Sequence, residues 1–325
     1  MIKTIKFILT LLVMYSCSSI DYIKNTNISD EALKKNHNEI SIATYNIKAI
    51  YDKEENEVDS LLSFVKNNQF DFVLFQELFD ESTRDEIIEK SYLNYQTIIS
   101  RVDYNSFPEF LFQDAGLFLM SKYPRVDLSK IDFGDDINNS NGIIHMVLEK
   151  EWSKTKDFLA NKSVIGSLFN INDSTQLFLF TTHVQAIGTH EHKLFQLDQI
   201  KNFIDLAIKG VISSGKVTSS KNLIVLLAGD FNSDAYNSER YKNLLQHLSF
   251  PRDLHKEFNG NKEEYTFAFR SRKPSRRFDY ILAYDNWEKF HLKKVKIKSI
   301  GVENVTVDSV SISDHIALKA KLLLK

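Results

Sequence analysis

The sequence predicts an α/β protein whose folded body is one domain, and three observations support this. The chain has 325 residues, 43% of them hydrophobic, so it can bury a large core. Short strand-like runs alternate with helical runs from about residue 40 to the C-terminus. Most of these strand-like runs are apolar throughout, as expected for strands covered on both faces. No Pro-, Gly- or Ser-rich break divides this part of the sequence.

Composition and charge exclude several classes of protein. The chain has 4 prolines, 10 glycines and no repeat of fixed period, which excludes a fibrous or linker-rich protein. With 41 Lys+Arg against 43 Asp+Glu, the net charge of −2 argues against a protein that coats DNA. The charge does not exclude an enzyme that acts on phosphodiesters.

The N-terminus predicts export. Lys3 and Lys6 precede the apolar run Phe7–Met14, which is too short to span a membrane but has the length of a secretory signal core. The run leads to Cys17, the only cysteine. This arrangement resembles a bacterial lipoprotein signal, in which the cysteine becomes the lipidated first residue.

The resemblance divides the chain into three parts: a signal peptide over residues 1–16, a polar tether over residues 17–38 and a single folded domain over residues 39–325. It places the exported protein on a membrane, anchored through Cys17. Ordinary cleavage, which would give a secreted protein, is the alternative. With one cysteine, the exported fold has no internal disulfide.

The apolar pattern predicts nine strands and three helices in the folded domain. The strands are Ile40–Tyr45, Phe70–Phe75, Ala115–Met120, Ile143–Leu148, Val164–Ile171, Leu177–Thr182, Leu223–Ala228, Phe278–Ala283 and Ile316–Leu324. The clearest helix is His190–Ile208, where leucine and isoleucine recur every three or four residues and form one apolar stripe. Val58–Val65 and Ser82–Tyr92 are shorter helical candidates.

Polar side chains stand where several strand-like runs end or begin. These residues are Asn46, Gln76, Glu77, His183, Asp230, Asn232, Asp279, Asp314 and His315. Each one alone is explained by a turn, a helix cap or a structural histidine. Because the sites of α/β proteins collect at the carboxyl edge of the sheet, six such ends with similar chemistry favour one shared site.

The residue types at these ends favour a hard divalent cation. Glu77 supplies charge and Asn46 a neutral carbonyl, and no cluster of cysteine and histidine suggests zinc. Phosphoryl chemistry needs such a cation, a positioned base and donors to the non-bridging oxygens. The polar residues at the strand ends include side chains that can hold the cation, act as the base and donate to the phosphate oxygens.

The same residues, in this order, resemble the signature of the endonuclease/exonuclease/phosphatase superfamily related to deoxyribonuclease I. The resemblance runs from about residue 40 to the C-terminus. It implies a four-layer sandwich, in which two mixed β-sheets pack face to face with helices outside.

Within that superfamily the sequence is most similar to the neutral sphingomyelinases. Thr181–Ala186 and the helix that follows resemble their Thr-His motif, and Asp157 with Lys162 matches their Asp-x4-Lys element. In those enzymes the lysine approaches the substrate phosphate and the aspartate is its switching partner. Ser163 stands where the family usually has glycine.

This resemblance implies a role for each site residue. Glu77, with Asn46 and Asp314, would hold Mg²⁺, for which Mn²⁺ or Co²⁺ can substitute. Asp230 and Asn232 would orient the phosphate and the attacking water, and Lys162 would contact the phosphate. His315 would be the general base with its tautomer fixed by Asp279, and His183 would donate a proton to a phosphate oxygen or the leaving alkoxide. The two histidines must then differ in pKa.

The substrate remains open at this stage. A membrane lipid of the sphingomyelin type is favoured because a tethered enzyme shares the surface with it. Secreted bacterial sphingomyelinases insert an aromatic hairpin into the bilayer, and here Trp287 and Phe290 are the nearest candidates, although packing explains both equally well. No obligate protein partner is predicted.

Two other readings stay open. A nuclease or phosphoinositide phosphatase on the same scaffold would use a basic surface for its substrate phosphates. The candidates for that surface are Arg270, Arg272, Lys273, Arg276, Arg277, Lys289, Lys293, Lys294, Lys296 and Lys298. A surface lipoprotein that keeps the fold only as a binding module is the third reading, and nucleic acid is a partner only under the nuclease reading.

Overall fold

The computed structural model describes residues 20–27, 38–103, 113–151, 156–268 and 275–324. Its strands are β1 (Ile20–Lys24), β2 (Glu39–Ala49), β3 (Phe72–Leu78), β4 (Thr97–Val102), β5 (Phe118–Ser121), β6 (Asn138–Ser140), β7 (Ile143–Val147), β8 (Ser163–Asn172), β9 (Thr175–His183), β10 (Leu223–Asp230), β11 (Arg252–Asp253), β12 (Asp279–Tyr284), β13 (Asn286–Trp287), β14 (Phe290–His291), β15 (Val295–Glu303), β16 (Thr306–Val307), β17 (Val310–Ser311) and β18 (Ala317–Leu324).

The helices begin where a polar side chain can accept the first free N–H groups. They are α1 (Glu55–Asn68), α2 (Glu81–Ser91), α3 (His190–Ser213), α4 (Ser238–His247) and α5 (Leu254–Asn259). Asp80 caps α2 and Thr189 caps α3 through their side-chain oxygens. The long helix predicted from the leucine and isoleucine stripe is therefore confirmed, and it extends five residues further than the pattern indicated.

Two seven-stranded sheets form the centre of the molecule. One has the strand order β1-β4-β5-β3-β2-β18-β15 and the other β11-β12-β10-β9-β8-β7-β6. Each sheet contains one parallel pair, β2 with β3 and β9 with β10, and its other neighbours are antiparallel. Both sheets are therefore mixed, as the four-layer sandwich requires.

Alternation along the strands produces the layers. Ile42 and Leu74 face the core between the sheets, whereas Ala43 and Phe75 face the opposite side, toward α1 and α2. In the second sheet Leu226 faces the first sheet, and its neighbours on either side pack toward α3. Three apolar layers thus separate four layers of secondary structure, and the predicted fold class is confirmed.

The two parallel pairs end at the same edge of the sandwich, here called the carboxyl edge. Asn46 pairs with Gln76 near the end of β2 and β3, and His183 pairs with Asp230 at the end of β9 and β10. Gln76 crosses between the sheets, with its amide nitrogen 3.5 Å from the Thr181 hydroxyl. The polar residues of both sheets are therefore brought to one place.

The structure differs from the sequence prediction in the segment 17–38. Part of this polar tether, Ile20–Lys24, is strand β1, which pairs antiparallel with β4 at the edge of the first sheet. Ile20 is buried in the core between the sheets, which explains why so short and polar a segment is ordered. The signal residues 1–16 and Cys17 lie outside the described residues.

Strands β4 and β15 were also absent from the sequence prediction. The residues of β4 show no clean alternation, and the apolar–polar alternation of β15 changes phase at the bulge between Ile297 and Ser299. Among the described residues, no helix has the length and apolar character needed to cross a membrane.

Candidate active site

Three side chains from the two sheets meet at the carboxyl edge. The amide nitrogen of Asn46 donates to Glu77 Oε1 and to Asp230 Oδ2, at 3.0 Å each. Asn46 and Asp230 are buried, whereas the Glu77 side chain is 21% exposed. Residues separated by 184 positions in sequence are thus in direct contact, as the strand-end pattern predicted.

His183 lies beside this group at the end of β9. Its Nε2 is 3.6 Å from Asp230 Oδ2 and 3.7 Å from Glu77 Oε1, and neither ring nitrogen has a hydrogen-bond partner among the described residues. Burial, with the positive charges of Lys162 and His315, holds the pKa of His183 well below its ordinary value. The imidazole is therefore neutral and can donate through only one nitrogen.

His315 is held by two carboxylates. Its Nδ1 is 2.9 Å from Asp279 Oδ2, and its Nε2 is 3.6 Å from Asp230 Oδ2. Burial alone would lower the pKa of His315, but Asp279 and Asp230 outweigh this effect and raise it to about 10. Burial raises the pKa of Asp230, although the positive charge of His315 acts to lower it.

The two histidines therefore differ in pKa, but with the sign opposite to the predicted one. The sequence prediction needs a neutral His315 and a protonated His183, whereas the electrostatics place the proton on His315. The physical reason is that Asp279 and Asp230 both face His315, and their charge favours the imidazolium. The pKa of His315 falls when that carboxylate charge is neutralised.

Local backbone structure fixes these side chains. Ser313 donates to the Asn46 carbonyl at 2.7 Å and accepts from the His315 N–H at 3.1 Å, which ties the end of β2 to the loop before β18. Thr266 Oγ1 accepts the N–H groups of Phe278 and Asp279 and thereby positions the start of β12. Ser313 directly precedes the predicted site residues Asp314 and His315 but had no predicted role, and nothing in the sequence pattern marked Thr266.

Two site residues have left-handed backbone conformations. Glu77 has φ of 55° and Asn232 has φ of 48°. The Asn232 N–H donates to Asp230 Oδ1 at 2.9 Å, and its amide donates to the Val184 carbonyl at 2.9 Å. Strained backbone of this kind persists where the surrounding structure fixes it, which is typical of functional sites.

Lys162 and Asp157 lie on the flank of the cleft. Their side chains form an ion pair with Nζ and Oδ1 3.2 Å apart, and the lysine is almost fully buried. The positive charge of Lys162 lowers the pKa of His183, so Lys162 lies close to that histidine. The other oxygen of Asp157 accepts the Ile187 N–H, which connects this pair to the loop after β9.

Asp314 is close enough to His315 to affect its pKa, but it has a different partner from the predicted one. Its Oδ2 is 2.6 Å from Lys48 Nζ, in a partly exposed ion pair. Asn46 also presents its amide nitrogen, not its carbonyl, to the carboxylates, while its oxygen accepts the Lys48 N–H. The donor set predicted for a cation is present, but these two residues are oriented toward protein partners.

The donor chemistry nevertheless fits a divalent cation. Glu77 and Asp230 both place carboxylate oxygens beside the Asn46 amide, and Asp279 Oδ1 is buried with no hydrogen-bond partner in the part of the chain that the structure describes. Among the described residues, Asp230, Asp279 and His315 have potential ligand atoms within 4.8 Å of one another. Oxygen-rich, anionic sites of this kind suit Mg²⁺ or Mn²⁺.

The predicted basic surface is only partly present. Arg277 is buried in an ion pair with Asp253, so it is not part of a binding surface. Lys296 and Lys298 lie exposed on β15, the edge strand of the first sheet, where charge discourages pairing with another chain. Arg270, Arg272 and Lys273 lie outside the described residues.

The aromatic hairpin candidates are not at the cleft. Trp287 is buried, and its Nε1 donates to Asp205 of α3 at 2.8 Å, so it is a packing residue. Phe290 pairs with it in the short hairpin formed by β13 and β14 and packs against the core between the second sheet and α3.

Solved structures share this architecture over most of the chain. TDP2 of D. rerio, solved with a single-strand DNA product, is 17% identical, with a TM-score of 0.59 over 88% of this chain and 99% of that chain. Sphingomyelinase C from Streptomyces griseocarneus is 17% identical, with a TM-score of 0.56 over 87% and 99%. An endonuclease/exonuclease/phosphatase family protein from Bacteroides thetaiotaomicron is 16% identical, with a TM-score of 0.53 over 88% and 95%.

The chain therefore has the deoxyribonuclease I-like α/β sandwich fold, and the resemblance inferred from its motifs is confirmed at the level of the fold. No family model and no curated protein matches the sequence. Fold alone does not assign a reaction, so function must be argued from the site.

Proposed function

We propose that this protein is a divalent-metal-dependent phosphodiesterase. The observation that supports this most strongly is the convergence of Asn46, Glu77 and Asp230 with two buried histidines of opposite pKa shift. Few other activities need an anionic, oxygen-rich cluster beside both a potential base and a neutral donor.

In this proposal a cation held by Asp230 would neutralise part of the carboxylate charge that raises the pKa of His315, and the neutral His315 would then take a proton from water through Nε2. Its Nδ1 is fixed by Asp279, so the tautomer with a free Nε2 faces Asp230 and the cleft. The water oxygen forms a bond to phosphorus as the bond to the leaving alkoxide breaks, and the alkoxide takes a proton from solvent while His315 releases to solvent the proton it received. Asp230 and Asn232 lie close enough to orient this water.

The other residues stabilise the phosphate. Glu77 and Asp230 would hold the cation, which supplies charge neutralisation at the non-bridging oxygens. Neutral His183 donates a hydrogen bond from one ring nitrogen to a phosphate or leaving-group oxygen, and Lys162 adds positive charge on the flank. A neutral imidazole donates a hydrogen bond here but transfers no proton, so proton transfer from His183, which the sequence suggested, is not part of this proposal.

For the substrate we propose a phosphodiester of the sphingomyelin type, cleaved to ceramide and phosphocholine. The buried Asp157–Lys162 ion pair supports this, because it is the element by which the sequence resembles the neutral sphingomyelinases. Sphingomyelinase C from S. griseocarneus also shares the fold.

A second candidate is a polyanionic substrate, such as a nucleic acid or a phosphoinositide. Lys193 donates to the Asn232 carbonyl at the cleft, and exposed Arg240 and Arg276 are close enough to affect its pKa. This cationic group lies beside Asn232, where a second phosphate of a longer substrate would be stabilised. The sequence analysis did not single out Lys193 or Arg240.

Two assays separate these candidates. Purified protein with Mg²⁺ should release phosphocholine from sphingomyelin vesicles, and EDTA should stop the release. Nicking of supercoiled plasmid without lipid hydrolysis would favour the nuclease reading. If neither substrate nor a chromogenic phosphodiester is hydrolysed with Mg²⁺, Mn²⁺ or Co²⁺, the proposed activity is wrong.

Lys193→Ala distinguishes the substrates further. For a polyanionic substrate it should weaken binding and reduce the salt dependence of binding. For sphingomyelin it should change turnover little. Lys201→Ala, on the same helix, is the matched control, because Lys201 lies about two turns further along α3.

A further inference from the structure

The first described strand determines where the N-terminal segment leaves the molecule. Ile20 pairs with Val102, and Lys24 pairs with Thr97. Because β4 runs in the same direction as β3, Val102 lies at the carboxyl edge, level with Glu77. The chain therefore enters β1 at the edge that carries the site, not at the opposite edge.

Ile20 lies at the carboxyl edge, the same edge of the sandwich that carries the cleft. Strand β1 is three strands from β3 in the sheet, which corresponds to about 14 Å at the usual strand spacing. Cys17 precedes Ile20 by three residues, which can span at most about 10 Å. An anchor attached at Cys17 would therefore be within reach of the carboxyl edge.

The C-terminus of the described chain is at the other end of the sandwich. The Leu324 N–H donates to the Asn38 carbonyl, where β2 is about to begin. Eight residues of strand separate Asn38 from Asn46, or about 26 Å. The first described strand thus begins at the carboxyl edge, and the last described strand ends at the opposite edge. An anchor at the C-terminus can therefore serve as the control for an anchor at the N-terminus.

Exposed apolar side chains surround the cleft. Ile50 and Tyr51 follow β2, Ile187 follows β9, and Val310 begins β17, and all four lie in segments at the carboxyl edge. Tyr51 is 80% exposed, Val310 69% and Ile187 48%. An apolar rim around a polar cleft fits a surface that meets lipid.

We propose that the carboxyl edge is a membrane-facing surface, against which a lipid bilayer packs. The N-terminal segment leaves the sheet at this edge, so an anchor at Cys17 would hold the cleft toward the bilayer that carries it. The proposed orientation of the protein does not depend on its activity. Its consequence, that the substrate is a lipid of the same membrane, rests on the proposed phosphodiesterase activity.

The single cysteine allows a direct test. The mature chain beginning at Cys17 is coupled through that thiol to a maleimide lipid in sphingomyelin vesicles. The comparison protein carries Cys17→Ser and Lys325→Cys and is coupled at the opposite edge. With Mg²⁺, the chain anchored at Cys17 should hydrolyse vesicle lipid at least about tenfold faster, because only its cleft faces the surface.

A soluble chromogenic phosphodiester should be hydrolysed equally by both proteins. Equal rates on vesicle lipid would contradict the proposed orientation. If both proteins hydrolyse the soluble diester but neither cleaves the lipid, the proposed substrate is wrong, and orientation is then read from amide hydrogen exchange. Slower exchange over Thr306–Ser311 in the Cys17-anchored protein alone supports the proposal, and unchanged exchange overturns it.

The apolar rim is tested without any anchor. Tyr51→Ser should reduce binding of the Cys17→Ser protein to sphingomyelin vesicles, measured by co-sedimentation. Phe250→Ser is the matched control, since Phe250 is 72% exposed but precedes β11 at the opposite edge. Equal loss of binding in both variants, or in neither, would contradict a lipid-facing role for the rim.

Discussion

At the scale of single residues, charge placement determines what the two histidines can do. His183 and His315 both lie near Asp230, yet the pKa of one is lowered and that of the other is raised. The difference arises because His315 also contacts Asp279, whereas no described residue forms a hydrogen bond with the His183 ring. Identical side chains thus acquire different protonation states from their neighbours.

Glu77→Gln tests the proposed cation site. The change keeps the size of the side chain but removes its charge, so metal-dependent hydrolysis should fall at least about 10²-fold. Binding of Mn²⁺, measured by calorimetry, should weaken in parallel, while circular dichroism remains unchanged. Glu81→Gln is the control, because Glu81 is exposed and contacts Arg101 at the surface. Equal activity of Glu77→Gln and wild type would contradict the assignment.

Asp279→Asn tests the coupling between Asp279 and His315. Since the pKa of His315 is raised from its ordinary 6.5 to about 10, its protonation stabilises the fold fully below about pH 6.5. This contribution is lost as the pH rises through about 10. The difference in the free energy of unfolding between wild type and Asp279→Asn should therefore change between about pH 6 and pH 10, with wild type losing its advantage.

The measurement is denaturant unfolding in EDTA, with NMR titration of the His315 ring. Asp59→Asn is the control, because Asp59 is exposed and pairs only with Lys90 among the described contacts. A His315 pKa that is the same in wild type and in Asp279→Asn would show that the pair does not couple.

Much of the site could be predicted at this scale, but its details could not. Glu77, His183 and Asp230 follow apolar strands, and this pattern is visible in sequence. The amide orientation of Asn46 and the pairing of Asp314 with Lys48 depend on which donors lie nearby in three dimensions. The sign of the pKa difference depends on how many carboxylates face each ring, which no local pattern contains.

At the scale of secondary structure, the close pairing of β9 and β10 places His183 beside Asp230. Gly229 has φ of 148°, and a Cβ at this position would lie 2.1 Å from the Thr182 carbonyl oxygen. Only glycine allows this approach of the two backbones.

Gly229→Ala should therefore lower the free energy of unfolding by at least about 2 kcal/mol, and activity should fall because His183 and Asp230 separate. Gly215→Ala is the control, since Gly215 also has positive φ but a Cβ there would meet no atom of the described residues within 4 Å. It should cost only about 1 kcal/mol. Similar costs for both, measured by denaturant unfolding, would show that the close approach does not matter.

Strand β1 carries the second prediction at this scale. A chain that begins at Asn38 loses the partner of β4, whose edge then becomes exposed. We expect a lower Tm and concentration-dependent aggregation relative to a chain that begins at Ile20. An unchanged Tm would mean that β1 contributes nothing to the folded domain. The sequence did not reveal this strand, because Asp21 and Lys24 resemble a polar tether.

At the scale of the whole molecule, the sandwich brings together two parallel pairs that belong to different sheets. The alternation of apolar residues and the order of the motifs were enough to predict this architecture. They were not enough to predict which end of the sandwich the N-terminal segment approaches, since that depends on the register of β1 with β4.

The most direct test of the account is a crystal structure of the protein with Mn²⁺, located by anomalous scattering. We predict a peak at the carboxyl edge, about 2.0–2.6 Å from a carboxylate oxygen of Glu77 and within the group formed with Asn46 and Asp230. A manganese ion bound elsewhere, with Glu77 left without a metal contact, would contradict the proposal that both sheets build one cation-dependent centre.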